Sequence, residues 1–155
     1  MVWRKYKSAA AARQLWRDKQ ITTIMEKIFD KAFIDTLLAQ AAENPRKRQN
    51  HDLRNSAADT SQRMMNALLP ETQVPIHRHE DTAETVICLS GRLEEILYEE
   101  VPGADGQPGY REVSRTLLCP AEGCHGTQVP AGAWHSIEVL EPSIIFEAKD
   151  GAYKG

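Results

Sequence analysis

Apolar residues along the chain change period once. Between residues 25 and 43, Ile28, Phe29, Phe33, Ile34, Leu37, Leu38 and Ala41 recur at three- and four-residue steps, the stripe of an amphipathic helix that buries one face. Asn44-Pro45 ends it, because proline disfavours helical geometry in the residue before it and supplies no N–H. Residues 45–54, with Arg46, Lys47, Arg48, His51 and Arg54, read as a polar, basic linker. Beyond it, short alternating or apolar runs at 62–69, 74–79, 84–90, 93–98, 111–118, 126–129, 134–140 and 143–149 are separated by Pro, Gly and Asp turns. Gly91 marks a tight turn between two of them. Runs of this length and spacing predict an all-β sandwich or barrel. The chain thus divides into an extension over 1–24, an amphipathic helix over 25–44 packed on the domain, and a β-barrel over 45–155.

A length of 155 residues leaves room for one substantial core. No apolar run approaches the roughly 18 residues of a membrane-spanning helix, and the first residues lack the apolar stretch of a signal peptide, so a cytoplasmic location is expected. Three cysteines, Cys88, Cys119 and Cys124, are then expected as reduced thiols. The net charge of −3 hides an asymmetry: residues 1–24 carry six basic side chains and one acidic one, whereas the remaining 131 residues carry 13 basic and 21 acidic ones. An acidic body has no footprint for nucleic acid. The basic extension is open to three readings: a frayed or surface-docked tail, a basic membrane-surface helix, or a targeting segment.

Candidate chemistry concentrates in Pro75-Ile76-His77-Arg78-His79-Glu80-Asp81-Thr82-Ala83-Glu84 and, far downstream, Pro130-Ala131-Gly132-Ala133-Trp134-His135. On a strand, residues two apart share a face, so His77 and His79 present two imidazoles side by side. A four-residue turn then brings Glu84 onto the next antiparallel strand against the same rings. Proline and glycine around residue 131 suit a type I turn that delivers His135 into a further strand. Three imidazoles and a carboxylate on a rigid β-framework suit one divalent transition metal, with iron, manganese, zinc, nickel and copper all acceptable and positions left open for water or substrate.

His77-x-His79-x4-Glu84-x6-Gly91 resembles the first cupin motif, and Pro130-x-Gly132-x2-His135 resembles the core of the second. Residues 45–155 as a whole are similar to small bacterial cupin metalloproteins of the WbuC family, associated with lipopolysaccharide O-antigen gene clusters. The supporting stretches are Pro45-Arg46-Lys47-Arg48, Gln62-Arg63-Met64-Met65-Asn66-Ala67-Leu68, Pro75-Ile76-His77-Arg78-His79 and Glu147-Ala148-Lys149-Asp150-Gly151-Ala152-Tyr153. Glu71 stands where the broad cupin pattern has glycine, and Val139 where it has asparagine; neither position is a ligand. The resemblance implies a double-stranded β-helix, a jelly-roll barrel with the metal in its mouth, commonly paired as a homodimer.

Other residues bear on substrate. Arg46, Arg48 and Arg63, just ahead of the histidine segment, are natural partners for phosphate or carboxylate oxygens and suit an anionic sugar derivative; a solvated linker is the structural alternative. Glu147 and Lys149 share a face of the last run, where Glu147 is a candidate general acid or base and Lys149 a substrate contact; a buried ion pair is the alternative. His51 is a second candidate proton carrier if the linker folds over the barrel mouth. Arg78, between two ligands, points away from the metal. Cys119-x4-Cys124-His125 reads as a hairpin loop with free thiols, with a zinc site as the weaker reading.

Three functions are compatible with this pattern. One is a metal-dependent isomerase or epimerase of a sugar or sugar phosphate in surface-polysaccharide metabolism, with the metal as Lewis acid toward a carbonyl and hydroxyl pair. The second is an Fe(II)-dependent dioxygenase, and the third is a non-catalytic, metal-stabilised ligand-binding module.

Overall fold

Alternation of inward and outward side chains is realised in six antiparallel strands of one wrapped sheet. The structure is a computed structural model that describes residues 26–151. Helix α1 (Lys31–Glu43) precedes β1 (Arg48–Asp52), β2 (Ser61–Leu68), β3 (Glu84–Pro102), β4 (Pro108–Leu118), β5 (Gly126–Val129) and β6 (Trp134–Asp150). The strands lie in the order β1-β2-β6-β3-β4, with β5 also paired to β3. The expected basic extension, 1–24, and Tyr153 lie outside the described residues.

β3 and β6 are long enough to serve both halves of the barrel. The first part of β3 pairs with β5 and with the end of β6, through Glu84 to Val129 and Glu84 to Lys149; its second part pairs with β4 and the start of β6, through Leu97 to His135. The runs expected at 84–90 and 93–98 are therefore one bent strand, and those at 134–140 and 143–149 are another. Gly91 is not a tight turn but the bend itself, at φ +95° within a stretch of register shifts. A Cβ there would strike the Pro142 carbonyl and the Ser143 hydroxyl and lie 2.6 Å from Ser143 Cα.

Three further expectations change. The helix begins at Lys31 rather than at residue 25, directly after Asp30, a residue type that favours the position before a first turn. Asn44-Pro45 does end it, and Lys47, at φ +53°, donates from Nζ to the Ala42 carbonyl at 2.7 Å. The linker contains a strand: Arg48–Asp52 is β1, an edge paired with β2 from Arg48 opposite Leu68 to Asp52 opposite Met64. Its charged residues conceal it, because an edge strand carries polar side chains without penalty. Residues 74–79 form no strand and touch the sheet through a single bridge at His77.

Register sorts every side chain of β2. Gln62, Met64 and Leu68 face the barrel interior, where Leu68 joins Val86, Cys88, Leu93, Leu118, Val139 and Ile145 in the main core. Met65 and Ala67, on the opposite face, are covered with Ile144 by Leu37 and Ala41 of α1. The helix thus closes the outer face of the sheet, and β2 is buried on both sides. Gly91→Val is expected to destabilise the protein by about 2–4 kcal/mol, from a left-handed backbone and an overpacked bend; urea denaturation checks it, and an unchanged midpoint would mean that the bend accommodates a side chain.

Candidate metal centre

Two distant pieces of backbone bring the four expected ligands together. His77 and His135 form an antiparallel bridge, the His77 N–H donating to the His135 carbonyl at 3.0 Å and the His135 N–H to that of His77 at 2.8 Å. Both rings emerge on one side, with centroids 4.2 Å apart. The turn closes one residue later than expected, over residues 130–133 with Gly132 third at φ +78°, so it is not type I; its Gly132 N–H donates to the His79 carbonyl at 2.7 Å, tying the second histidine to the same turn. The His79 ring lies 5.2 Å from that of His77 and 5.5 Å from that of His135. Glu84, the first residue of β3, places Oε2 3.3 Å from His135 Nε2 and 3.4 Å from His79 Nε2. One ligand atom from each of the four lies within 4.8 Å of the others.

Backbone carbonyls orient two of the rings. His77 Nδ1 is 2.9 Å from the Pro75 carbonyl, and His135 Nδ1 is 2.9 Å from that of Ala133. A carbonyl only accepts, so each Nδ1 carries the proton; His77 Nε2 then turns a lone pair to the centre, and His135 Nε2 does so once it releases the proton it shares with Glu84, the tautomer a metal requires. Burial lowers the pKa of His77 and His79, which keeps them neutral and available. At His135 burial works the same way, but the hydrogen bonds to Glu84 and Ala133 outweigh it and raise the pKa. Burial pushes Glu84 upward, yet its His135 bond and the neighbouring imidazoles hold it below the ordinary carboxylate range. Three nitrogen donors and one ionised oxygen donor fit a divalent transition metal. Among the described residues no other group of three or more His, Cys, Asp or Glu side chains converges in this way. Cys119 and Cys124 only face each other across a turn, as free thiols, and burial pushes the Cys88 thiol up to about 11.

The ligands line a cavity of about 740 Å³ that also takes in Glu147, Lys149, Arg46 and Arg48. Glu147 accepts a 2.6 Å hydrogen bond on Oε2 from Asn66 Nδ2. Burial, followed by the charge of Glu84, pushes its pKa up to about 8, so it keeps its proton at neutral pH. Lys149 stands in register between Gln62 on β2 and Glu84 on β3. His51 and Arg63 are not part of this wall. Both have the outward parity of their strands: His51, opposite Met65, packs edge-on against Phe33 of α1 with centroids 5.1 Å apart, and Arg63 pairs with Asp59 at 2.8 Å. Arg78 lays its guanidinium 4.5 Å over the Trp134 ring and pairs with Glu80.

Sequence reading missed Glu95. It is 2% exposed, both of its oxygens are buried without a hydrogen-bond partner, and burial pushes its pKa up to about 8. In register it lies beside Ile137, one inward position below His135 on β6. The available signal was the alternation Leu93-x-Glu95-x-Leu97, where an acid occupies an interior position.

A family model described as a domain of unknown function, DUF6016, matches residues 29–105. No curated protein is similar to the chain in sequence. Similar solved structures include KdgF from Halomonas sp., at 16% identity over 69% of this chain and 81% of that one, with a TM-score of 0.49. The cupin domain of Cnp3 from Schizosaccharomyces pombe matches at 10% identity over 68% of this chain and 65% of that one, with a TM-score of 0.46. Oxalate decarboxylase from Lactobacillus farciminis, in a formate complex, matches at 13% identity over 70% of this chain and 30% of that one, with a TM-score of 0.50. The fold is that of the cupins. The chain spans less than a third of that decarboxylase, and these likenesses concern the cupin fold alone. No helix among the described residues is long and apolar enough to cross a membrane.

The buried acid gives a test of the barrel interior. A carboxyl whose pKa is raised on folding binds its proton more tightly folded than unfolded, so its contribution to stability is full below about 4.5 and is lost as pH rises towards 8. In chelator-treated protein, the stability of Glu95→Gln relative to the parent is expected to rise by up to about 3 kcal/mol between pH 5 and pH 8. Urea denaturation at both pH values reads it; a pH-independent difference would show that Glu95 titrates normally.

Proposed function

We propose that this cupin is a metal-dependent enzyme acting on a small, oxygen-rich, anionic sugar derivative by isomerase or epimerase chemistry. One juxtaposition carries the reading: Glu147, a carboxyl that keeps its proton, lines the same cavity as four converging metal ligands. His77, His79, Glu84 and His135 would hold the metal, which when bound supplies Lewis acidity toward a carbonyl or hydroxyl oxygen. Glu147 is the group suited to give and recover a proton at the substrate, with Asn66 fixing one of its oxygens. Lys149, the next inward residue on β6, adds a positive charge beside Glu84 that favours a developing negative charge on substrate oxygen. A place in surface-polysaccharide metabolism and assembly as a homodimer rest on the resemblance of residues 45–155 to the WbuC family.

Elemental analysis of protein purified without a nickel column tests the centre. The parent is expected to carry about one equivalent of transition metal, the His77→Ala, His79→Ala double variant none, and His125→Ala the same as the parent. Absence of metal from the parent after reconstitution with iron, manganese and zinc in turn would overturn the reading. Product analysis against a panel of sugar phosphates follows: oxygen-independent isomerisation supports the proposal, oxygen consumption with iron replaces it by oxygenase chemistry, and stabilisation without turnover replaces it by a binding module.

A further inference from the structure

The arginines of this protein divide into two groups. Eight lie among the described residues, and six of them are ion-paired: Arg54 with Asp52, Arg63 with Asp59, Arg78 with Glu80, Arg92 with Glu122, Arg111 with Glu99, and Arg115 with Glu94, Glu112 and Glu138. The two with no carboxylate partner, Arg46 and Arg48, are the two that line the cavity away from its histidine segment. In a body with an excess of acidic side chains, two guanidinium groups left without carboxylates at one cavity wall are a reserved charge.

Register fixes where that charge lies. Arg48 is opposite Leu68, whereas Glu147 is opposite Met64, four residues back along β2. At the rise of a strand this is about 13 Å between the two levels. Lys149 lies on the other side of Glu147, opposite Gln62 and beside Glu84. The four cavity cations are therefore not one cluster: Arg78 is held by Glu80, Lys149 belongs to the reacting end, and Arg46 and Arg48 belong to the far end. Between the two ends β2 presents Met64 and Asn66, and at the Lys149 level stands the 3%-exposed Gln62, whose Oε1 has no donor in the protein. A buried acceptor without a donor is a costly feature that a ligand hydroxyl would relieve after rotation of the amide.

We propose that Arg46 and Arg48 clamp a phosphate monoester at the end of an extended polyhydroxy ligand, remote from the carbon or oxygen presented to the histidine cluster. Two guanidinium groups on one cavity wall match the charge and the three terminal oxygens of a phosphate dianion, whereas a single carboxylate is satisfied by one of them. The proposal rests on the enzyme reading above for which end reacts, but the clamp itself needs no metal. It deepens that reading by placing the anion of the substrate at its unreactive end, where binding energy serves orientation.

Three related ligands, D-glucose 6-phosphate, D-glucuronate and D-glucose, separate the possibilities by calorimetry, because they share a ring and differ at one terminal carbon. The parent is expected to bind the phosphate at least roughly ten-fold more tightly than the other two. Arg46→Met with Arg48→Met should erase that preference, Arg63→Met should leave it intact, and the His77→Ala, His79→Ala double variant should retain it. No phosphate preference in the parent, equal binding of glucuronate, or an unchanged preference in the double arginine variant would each overturn the clamp. A parent that takes up no metal on reconstitution yet still prefers the phosphate would sink the enzyme reading and leave the clamp standing.

Discussion

The pairing of β3 with β6 governs everything else in this molecule. Each strand is too long for one flat ladder, so the pair bends together at Gly91 and Ser143, and each half meets a different neighbour. The bend puts Glu84, at one end of β3, within reach of His135, at the start of β6, although 51 residues separate them. A residue with a side chain at 91 would keep the two strands from approaching, and the carboxylate and the imidazole would then sit on diverging ladders. The geometry of the centre is in this sense a consequence of one close backbone contact.

The convergence of four side chains was legible in the sequence because its signal is local: His77 and His79 two apart, Glu84 five further on, and a Pro-Gly turn that announces His135. Where the reading failed, the missing fact was parity. His51 and Arg63 look like cavity residues in a basic stretch ahead of the histidines, but β1 cannot be recognised from Arg-Gln-Asn-His-Asp, which has no apolar alternation. Without β1 there is no register, and without register inward Arg48 cannot be told from outward His51. Glu95 was hidden for the opposite reason. It follows Glu94, which pairs with Arg115 at the surface, and two consecutive acids read as solvated although one of them points into the barrel.

Helix α1 has a structural role that its sequence pattern understates. Its stripe does not complete the barrel interior; it seals the outer face of β2 and β6, where Met65, Ala67 and Ile144 would otherwise meet water. Closing that face leaves the inner face of β2 free to carry polar residues. Gln62 and Asn66 sit in a strand whose stability comes from the side opposite the cavity, so the wall can be built for hydrogen bonding rather than for packing.

The interior also has an electrostatic logic. Three carboxyls, Glu84, Glu95 and Glu147, lie near one another, and burial keeps the last two protonated at neutral pH while hydrogen bonds keep Glu84 ionised. Once His135 has released the proton it shares with Glu84, all three imidazoles are neutral and the centre presents a single negative charge. A divalent cation there would leave one positive charge in excess, shared among neutral nitrogen ligands. That excess would favour an anionic substrate oxygen at the centre and would ease ionisation of the neighbouring acid, Glu147. A site with three ionised carboxylates would more than neutralise the cation and lose that pull. Keeping two acids protonated would therefore preserve the electrophilic character of a bound cation while holding a proton beside it, at the cost of burying polar groups that the rest of the barrel must stabilise.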